Sequence, residues 1–219
     1  MDMGVAERGV LRELPKNSLQ EKKLKPSIAG FWLAAWGAFV VTIFVSLVMY
    51  QSTPGRAADA PVQWPSDIAR NEGWTAVVVI HPRCSCTRAS LFELQRLMVT
   101  LRGRVEVVAY FVMPTGSGRD WTDTALWRQA SAIEDVQLVA DDGGEIANLF
   151  GVHASGQLLL YDDQEQLRFA GGITAGRGHE GDSSGRLELL AALEGVTSHG
   201  QASVFGCSVD ERGAEGGAQ

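Results

Sequence analysis

The first strong pattern along the chain is an uninterrupted apolar run. Positions 28–50 read IAGFWLAAWGAFVVTIFVSLVMY, 23 residues without a charge. A helix rises about 1.5 Å per residue and a bilayer core is about 30 Å thick, so roughly 20 apolar residues cross it. The run therefore predicts a transmembrane helix. Trp32 and Trp36 near one end and Tyr50 at the other suit the two interfaces. Beyond it the pattern changes. Positions 51–63, with Pro54, Gly55 and Pro61, read as a linker, and 64–210 is long enough for one well-packed domain.

Inside that domain, continuous β-branched runs alternate with helical spacing. WTAVVVI at 74–80 and VEVVAYFV at 105–112 predict strands buried on both faces. Between them, Leu91, Leu94, Leu97, Met98 and Leu101 fall at helical intervals, predicting a helix over 85–100. A helix over 122–133, a strand at 136–140, a turn at 141–144 and one or two helical turns at 145–150 follow. Then QLLLY (157–161) and LRFA (167–170) predict a hairpin, 171–185 a glycine-rich loop, and 187–193 a last helix. The order is β-α-β-α-β-(α)-β-β-α. It predicts an α/β fold with a central mixed sheet and helices on both faces. The tail, 211–219, is polar and Gly-rich and is expected to be disordered.

Charge sets orientation and excludes one partner class. Residues 1–27 hold six Lys/Arg and four Asp/Glu, net +2, and the remaining 13 basic and 22 acidic residues give −9. Lys16, Lys22, Lys23 and Lys25 precede the apolar run closely, whereas only Arg56 follows it closely. The positive-inside rule then predicts a single-pass protein with 1–27 as a cytoplasmic tail and 51–219 on the periplasmic or extracytoplasmic face. A cleaved signal peptide is the rival, with Ala58-Asp59-Ala60 as a small-x-small site, although the run exceeds a usual signal core. A chain of net charge −7 is not expected to bind nucleic acid, which requires clustered cations.

The chemistry concentrates at the first strand-to-helix junction, His81-Pro82-Arg83-Cys84-Ser85-Cys86-Thr87-Arg88. Pro82 ends the strand, because it cannot donate to the ladder. Ligands bind at the carboxyl ends of strands in open α/β sheets. The unpaired N–H groups of a helix start favour thiolate over thiol, so Cys84 should have a depressed pKa. Arg83 and Arg88 raise the local potential, and His81 is placed to support a thiolate or a metal. Cys84 and Cys86 would diverge by about 200° on a regular helix, so a bond between them needs Cys84 outside it and would be strained. Three outcomes stay open: a Cys84–Cys86 redox pair, pairing of either with Cys207, or a soft ion such as Cu(I) on two or three thiolates with His81 or His179 assisting. His179 lies in GRGHEGD (176–182), a glycine-rich loop that either is simply solvated or covers the cysteines. His153 and His199 have no such context.

These segments together resemble a thioredoxin-like domain over about 64–193. More narrowly, HPRCSCTRAS, ASGQLLLYD, GGITAGRGHEGD and VFGCS resemble the membrane-anchored thioredoxin-like proteins of the RedB type. The resemblance implies a thioredoxin-like three-layer sandwich and a redox role. It aligns Cys84 with the attacking cysteine of Cys-x-x-Cys and puts Thr87 at the resolving position. Pro82, Ser155 and Gly156 then line the substrate groove, with Gly156 where a cis-proline stands in that family. That proline also keeps metal off the thiols. The domain is similar, too, to copper-delivering thioredoxin-like proteins, whose helix-start cysteines are more widely spaced.

The leading expectation is a membrane-tethered thiol–disulfide oxidoreductase acting on protein thiols or disulfides near the bilayer. Cys84 attacks, Cys86 or Cys207 resolves, and no cofactor is needed. The alternatives are a Cu(I) chaperone or sensor using Cys84, Cys86 and His179, and a redox-inactive interaction domain.

Overall fold

The computed structural model describes residues 28–196 and 200–209. The expected cytoplasmic tail, the expected disordered tail and His199 lie outside the described residues. The chain forms two units, Met1–Ile43 and Phe44–Gln219. Helix α1 runs Ile28–Ser52, two residues past the apolar run. At 25 residues it spans roughly 37 Å, more than the about 30 Å of a bilayer core. It buries none of its side chains. It is thus long and apolar enough to cross a membrane, and the same properties suit a signal sequence.

The second unit is built on one six-stranded sheet. Its strands are β1 (Trp74–Ile80), β2 (Val105–Met113), β3 (Val136–Asp142), β4 (Gln157–Tyr161), β5 (Leu167–Gly172) and β6 (Gly200–Gln201). They lie in the order β3-β2-β1-β4-β5-β6. β2 is parallel to β1 and to β3, β4 is antiparallel to β1 and to β5, and β6 is parallel to β5. This is the mixed central sheet with helices on both faces that the sequence predicts.

Alternation along β1 divides the core. Ala76, Val78 and Ile80 face helices α2 (Thr87–Leu101), α3 (Ala125–Ser131) and α5 (Ser184–Leu193), together with Leu91, Leu94, Leu126 and Leu189. Val77 and Val79 face Trp64, Phe150 and the short helix α4 (Glu145–Leu149). Both faces of β1 are therefore covered, which explains why its sequence is uniformly apolar.

Local departures from the predicted elements have identifiable causes. Helix α2 begins at Thr87, not 85, because Cys84 and Ser85 sit in a turn with Cys84 N donating to His81 O at 3.0 Å. Helix α3 begins at Ala125, where Thr124 Oγ1 accepts from Trp127 N at 3.2 Å as an N-cap. Strand β3 runs through Asp142, because the buried Asp141 carboxylate accepts from Ile146 N and Ala147 N, both at 2.9 Å, and so starts α4. The segment 171–185 is not one loop. Gly171 and Gly172 end β5, where Ala202 to Val204 cross so closely that a Cβ would meet backbone at 2.6–2.9 Å. Glycine there admits a neighbouring backbone. β6, unforeseen from the sequence, starts this return of the chain toward the cysteines.

Candidate functional site

Three segments converge at the carboxyl end of β1. The first is the turn 81–86. The second is 153–156, just before β4. The third is the return segment 202–209, stitched to the second by Ser155 N donating to Cys207 O at 2.8 Å and Val209 N donating to His153 O at 3.1 Å. Gly206 lies so close to the Ser155 carbonyl oxygen that any Cβ would overlap it. Hence the residue before Cys207 has to be glycine.

This convergence brings the sulfurs of Cys84 and Cys207 to 2.8 Å, across 123 residues of sequence. All three cysteines are free, and their sulfurs lie within 4.8 Å of one another. Cys84 is only 1% exposed, while Cys86 and Cys207 are half-buried. Cys86 is the N-cap residue of α2, and its side chain makes no capping bond.

The electrostatics are strongly asymmetric. The Cys84 thiol is pushed down from 9.0 to about 4. The hydrogen bond from the Cys207 thiol contributes most; bonds from Thr87 and from Cys207 N, 3.3 Å away, add to it and together outweigh burial. Cys207 is pushed the opposite way, since its proton is held between two sulfurs, with burial adding to the rise and Arg177 opposing it. The two sulfurs share one proton, and the further bonds that Cys84 Sγ accepts from Thr87 and from Cys207 N favour the negative charge on Cys84.

Ser155 and Thr87 support that charge. His81 N donates to Ser155 Oγ at 2.8 Å, and Ser155 Oγ lies 2.6 Å from Thr87 Oγ1. With Ser155 donating in that pair, the Thr87 hydroxyl hydrogen is free to point at the thiolate. Gly156 N donates to Val79 O at 2.7 Å, tying the segment to β1. Gly156 has φ +84°, and a Cβ there would meet Ser90 Oγ at 2.7 Å. We expect Gly156→Ala to destabilise the fold by more than about 1 kcal/mol, read as a lower urea midpoint with unchanged slope.

The rim is aromatic and cationic. The Arg83 guanidinium sits 3.9 Å from the Trp121 ring centroid, and the His81 ring meets Trp121 edge-on at 5.9 Å. His81 Nδ1 accepts from Arg83 N at 3.3 Å. Burial, with Arg83 adding, holds the His81 pKa below its ordinary value, against the pull of the Cys84 thiolate. Pro82 is buried beneath this rim, and Arg88 is exposed and lies over Phe92 at 5.7 Å. His179 is exposed, with Nδ1 3.0 Å from Arg177 O, and stands outside the sulfur group. His153 Nε2 lies 3.4 Å from Asp59 Oδ2.

Sequence reasoning missed Trp121 and Arg177 and gave Thr87 no positive role. Arg177 donates from Nη1 to Gly206 O at 2.6 Å and from its backbone N to Gln51 O at 3.1 Å, and it lies over the Tyr50 ring at 5.0 Å. Nothing in GRGHEGD marks this arginine over its neighbours. For Thr87, the signal was its place one turn after Cys84.

Solved structures resemble the fold at low identity. An uncharacterised conserved protein from Geobacillus kaustophilus aligns at TM-score 0.52 with 17% identity, covering 73% of this chain and 93% of that one. A hypothetical protein from Sinorhizobium meliloti 1021 aligns at 0.51 with 20% identity, covering 72% and 93%. A thioredoxin-like protein in its oxidised form aligns at 0.41 with 16% identity over 67% and 94%, too distant a superposition to argue from. No family model matches the chain, and no curated protein does. The likeness is one of fold.

Proposed function

We propose that this protein is a membrane-tethered thiol–disulfide oxidoreductase whose redox pair is Cys84 and Cys207. The observation that carries this reading is the 2.8 Å approach of the two sulfurs, with Cys84 held as thiolate at neutral pH. Disulfide exchange needs an accessible sulfur and a good leaving sulfur. Cys207 is half-buried and reachable, whereas Cys84 is covered. This burial moves Cys84 from the entering role expected of it to the leaving role.

In the oxidised pair, a substrate thiolate attacks Cys207 Sγ and the Cys84–Cys207 bond breaks. The electron pair goes to Cys84, which departs as the stabilised thiolate. A second substrate thiolate attacks the mixed disulfide, and Cys207 leaves and takes a proton. Two electrons pass from the substrate dithiol to the pair, and exchange with a second protein disulfide restores it. A stabilised reduced form makes the disulfide a stronger oxidant. The tether supports substrates near the bilayer, and the lysines before the apolar run support 51–219 on the extracytoplasmic face.

The test is to oxidise the full chain in detergent, alkylate and map the cross-link by mass spectrometry. We expect Cys84 joined to Cys207 and Cys86 alkylated. A Cys84–Cys86 bridge would remove this pair from the mechanism.

A further inference from the structure

We infer that the reduced cysteine cluster is a binding site for one Cu(I) ion, held by the thiolates of Cys84, Cys86 and Cys207. The inference goes beyond disulfide exchange, because it gives Cys86 a purpose and needs no turnover. It rests on the convergence of three sulfurs from two distant segments within 4.8 Å of one another. Three sulfurs around one ion, with metal–sulfur bonds of about 2.3 Å, stand about 4 Å apart. The cluster is therefore near the required size. The Cys84–Cys207 approach of 2.8 Å has to open, by roughly an ångström on the same bond-length argument. Rotation of the Cys207 side chain about χ1 supplies that opening while Ser155 N stays bonded to Cys207 O.

The donor set selects the metal. Thiolates favour Cu(I), zinc and iron–sulfur clusters over hard cations. A structural zinc site closes with four donors. The group here supplies three, and among the described residues no histidine or carboxylate completes it. His81 stands outside the sulfur group, its Nδ1 accepting from Arg83 N and its ring packing against Trp121. Three soft donors with no fourth match a low-coordinate monovalent ion. Cys86 has no competing role, since its side chain does not cap α2. Arg177, bonded to Gly206 O beside Cys207, offsets part of the negative charge that three thiolates leave around a monovalent ion. Joining Cys84 to Cys207 would remove two of three ligands, so metal and disulfide exclude one another.

The full chain, reduced and in detergent without oxygen, is titrated with Cu(I) against bathocuproine disulfonate. No disulfide substrate is present, so the result is independent of exchange activity, which the cross-link map tests separately. We expect one copper per chain, X-ray absorption showing sulfur donors only, and no uptake by the oxidised chain. Cys86→Ser should weaken binding by at least about tenfold. Circular dichroism of that variant checks its fold, and His179→Ala should bind as wild type. No copper held, nitrogen among the donors, Cys86→Ser binding as tightly as wild type, or zinc held in preference would each overturn the site.

Discussion

Replacing Cys84 by serine should slow dithiol oxidation by the protein on the order of 10²-fold, and adding Cys86→Ser should abolish it. The magnitude comes from the leaving group. Exchange rates depend on thiol pKa with a Brønsted coefficient of roughly 0.5, and the Cys84 thiol is lowered from 9.0 to about 4. In the single variant, Cys86 and Cys207 are still close enough to form a bridge. That bridge lacks the sulfur held by Cys207 and Thr87, so exchange continues slowly. In the double variant no second sulfur remains, so no internal disulfide forms and a dithiol finds nothing to attack. The measurement is the initial rate of oxidation of a dithiol peptide; separately, adducts formed when each single-cysteine chain attacks a disulfide-bonded peptide, whose other sulfur leaves as thiolate, are mapped by mass spectrometry. Wild-type rates in the double variant would end the assignment. Adducts on Cys84 rather than Cys207 in the corresponding Cys207→Ser, Cys86→Ser chain, formed as fast as adducts on Cys207, would reverse the roles.

The parts of this fold legible in the sequence are those that depend on local pattern. Continuous β-branched runs announce β1 and β2 because both faces of each are covered. The spacing of Leu91, Leu94, Leu97 and Leu101 announces α2 because one stripe of it meets the sheet. The chemical junction was legible for the same reason: a buried strand, a proline that stops it and a helix beyond it place Cys84 at the sheet's carboxyl edge.

What stayed hidden depends on contacts between distant segments. Cys207 reaches Cys84 across 123 residues, through a two-residue edge strand and backbone packing that admits only glycine. A two-residue strand has no periodicity to read. The glycines at 171, 172 and 206 give the same signal whether they loosen a loop or admit a neighbouring chain, and here they do the second. Sequence could offer Cys207 as a partner, but only as one of three. It also could not foresee that the low-pKa cysteine would be the covered one. Exposure of Cys84 is set by a segment from the other end of the domain, not by its own turn.

Removing Cys207 should undo the charge it supports. In the reduced wild-type chain, thiolate absorbance near 240 nm should include one group titrating at about pH 4. In Cys207→Ala that group should move up toward the ordinary value of 9.0, because the largest stabilising bond is lost while burial still opposes charge and only the weaker bonds from Thr87 and the backbone N of residue 207 remain. Thr87→Val should move it the same way by less, since the Thr87 bonds rank below that of Cys207. Stability carries the same sign. A folded-state pKa below the unfolded one contributes stability that is complete above about pH 9 and declines as pH falls, vanishing below about 4. Cys207, raised in the fold, works the other way: its contribution is complete below its unfolded value of 9.0 and is lost as pH rises through its folded value. The reduced chain should therefore gain stability from pH 4 toward 9 and lose it above, relative to a Cys84→Ser, Cys207→Ser chain. Urea midpoints across that range read the difference. A flat difference from pH 4 to 9, or a thiolate midpoint unmoved by Cys207→Ala, would show that the two sulfurs do not share a proton.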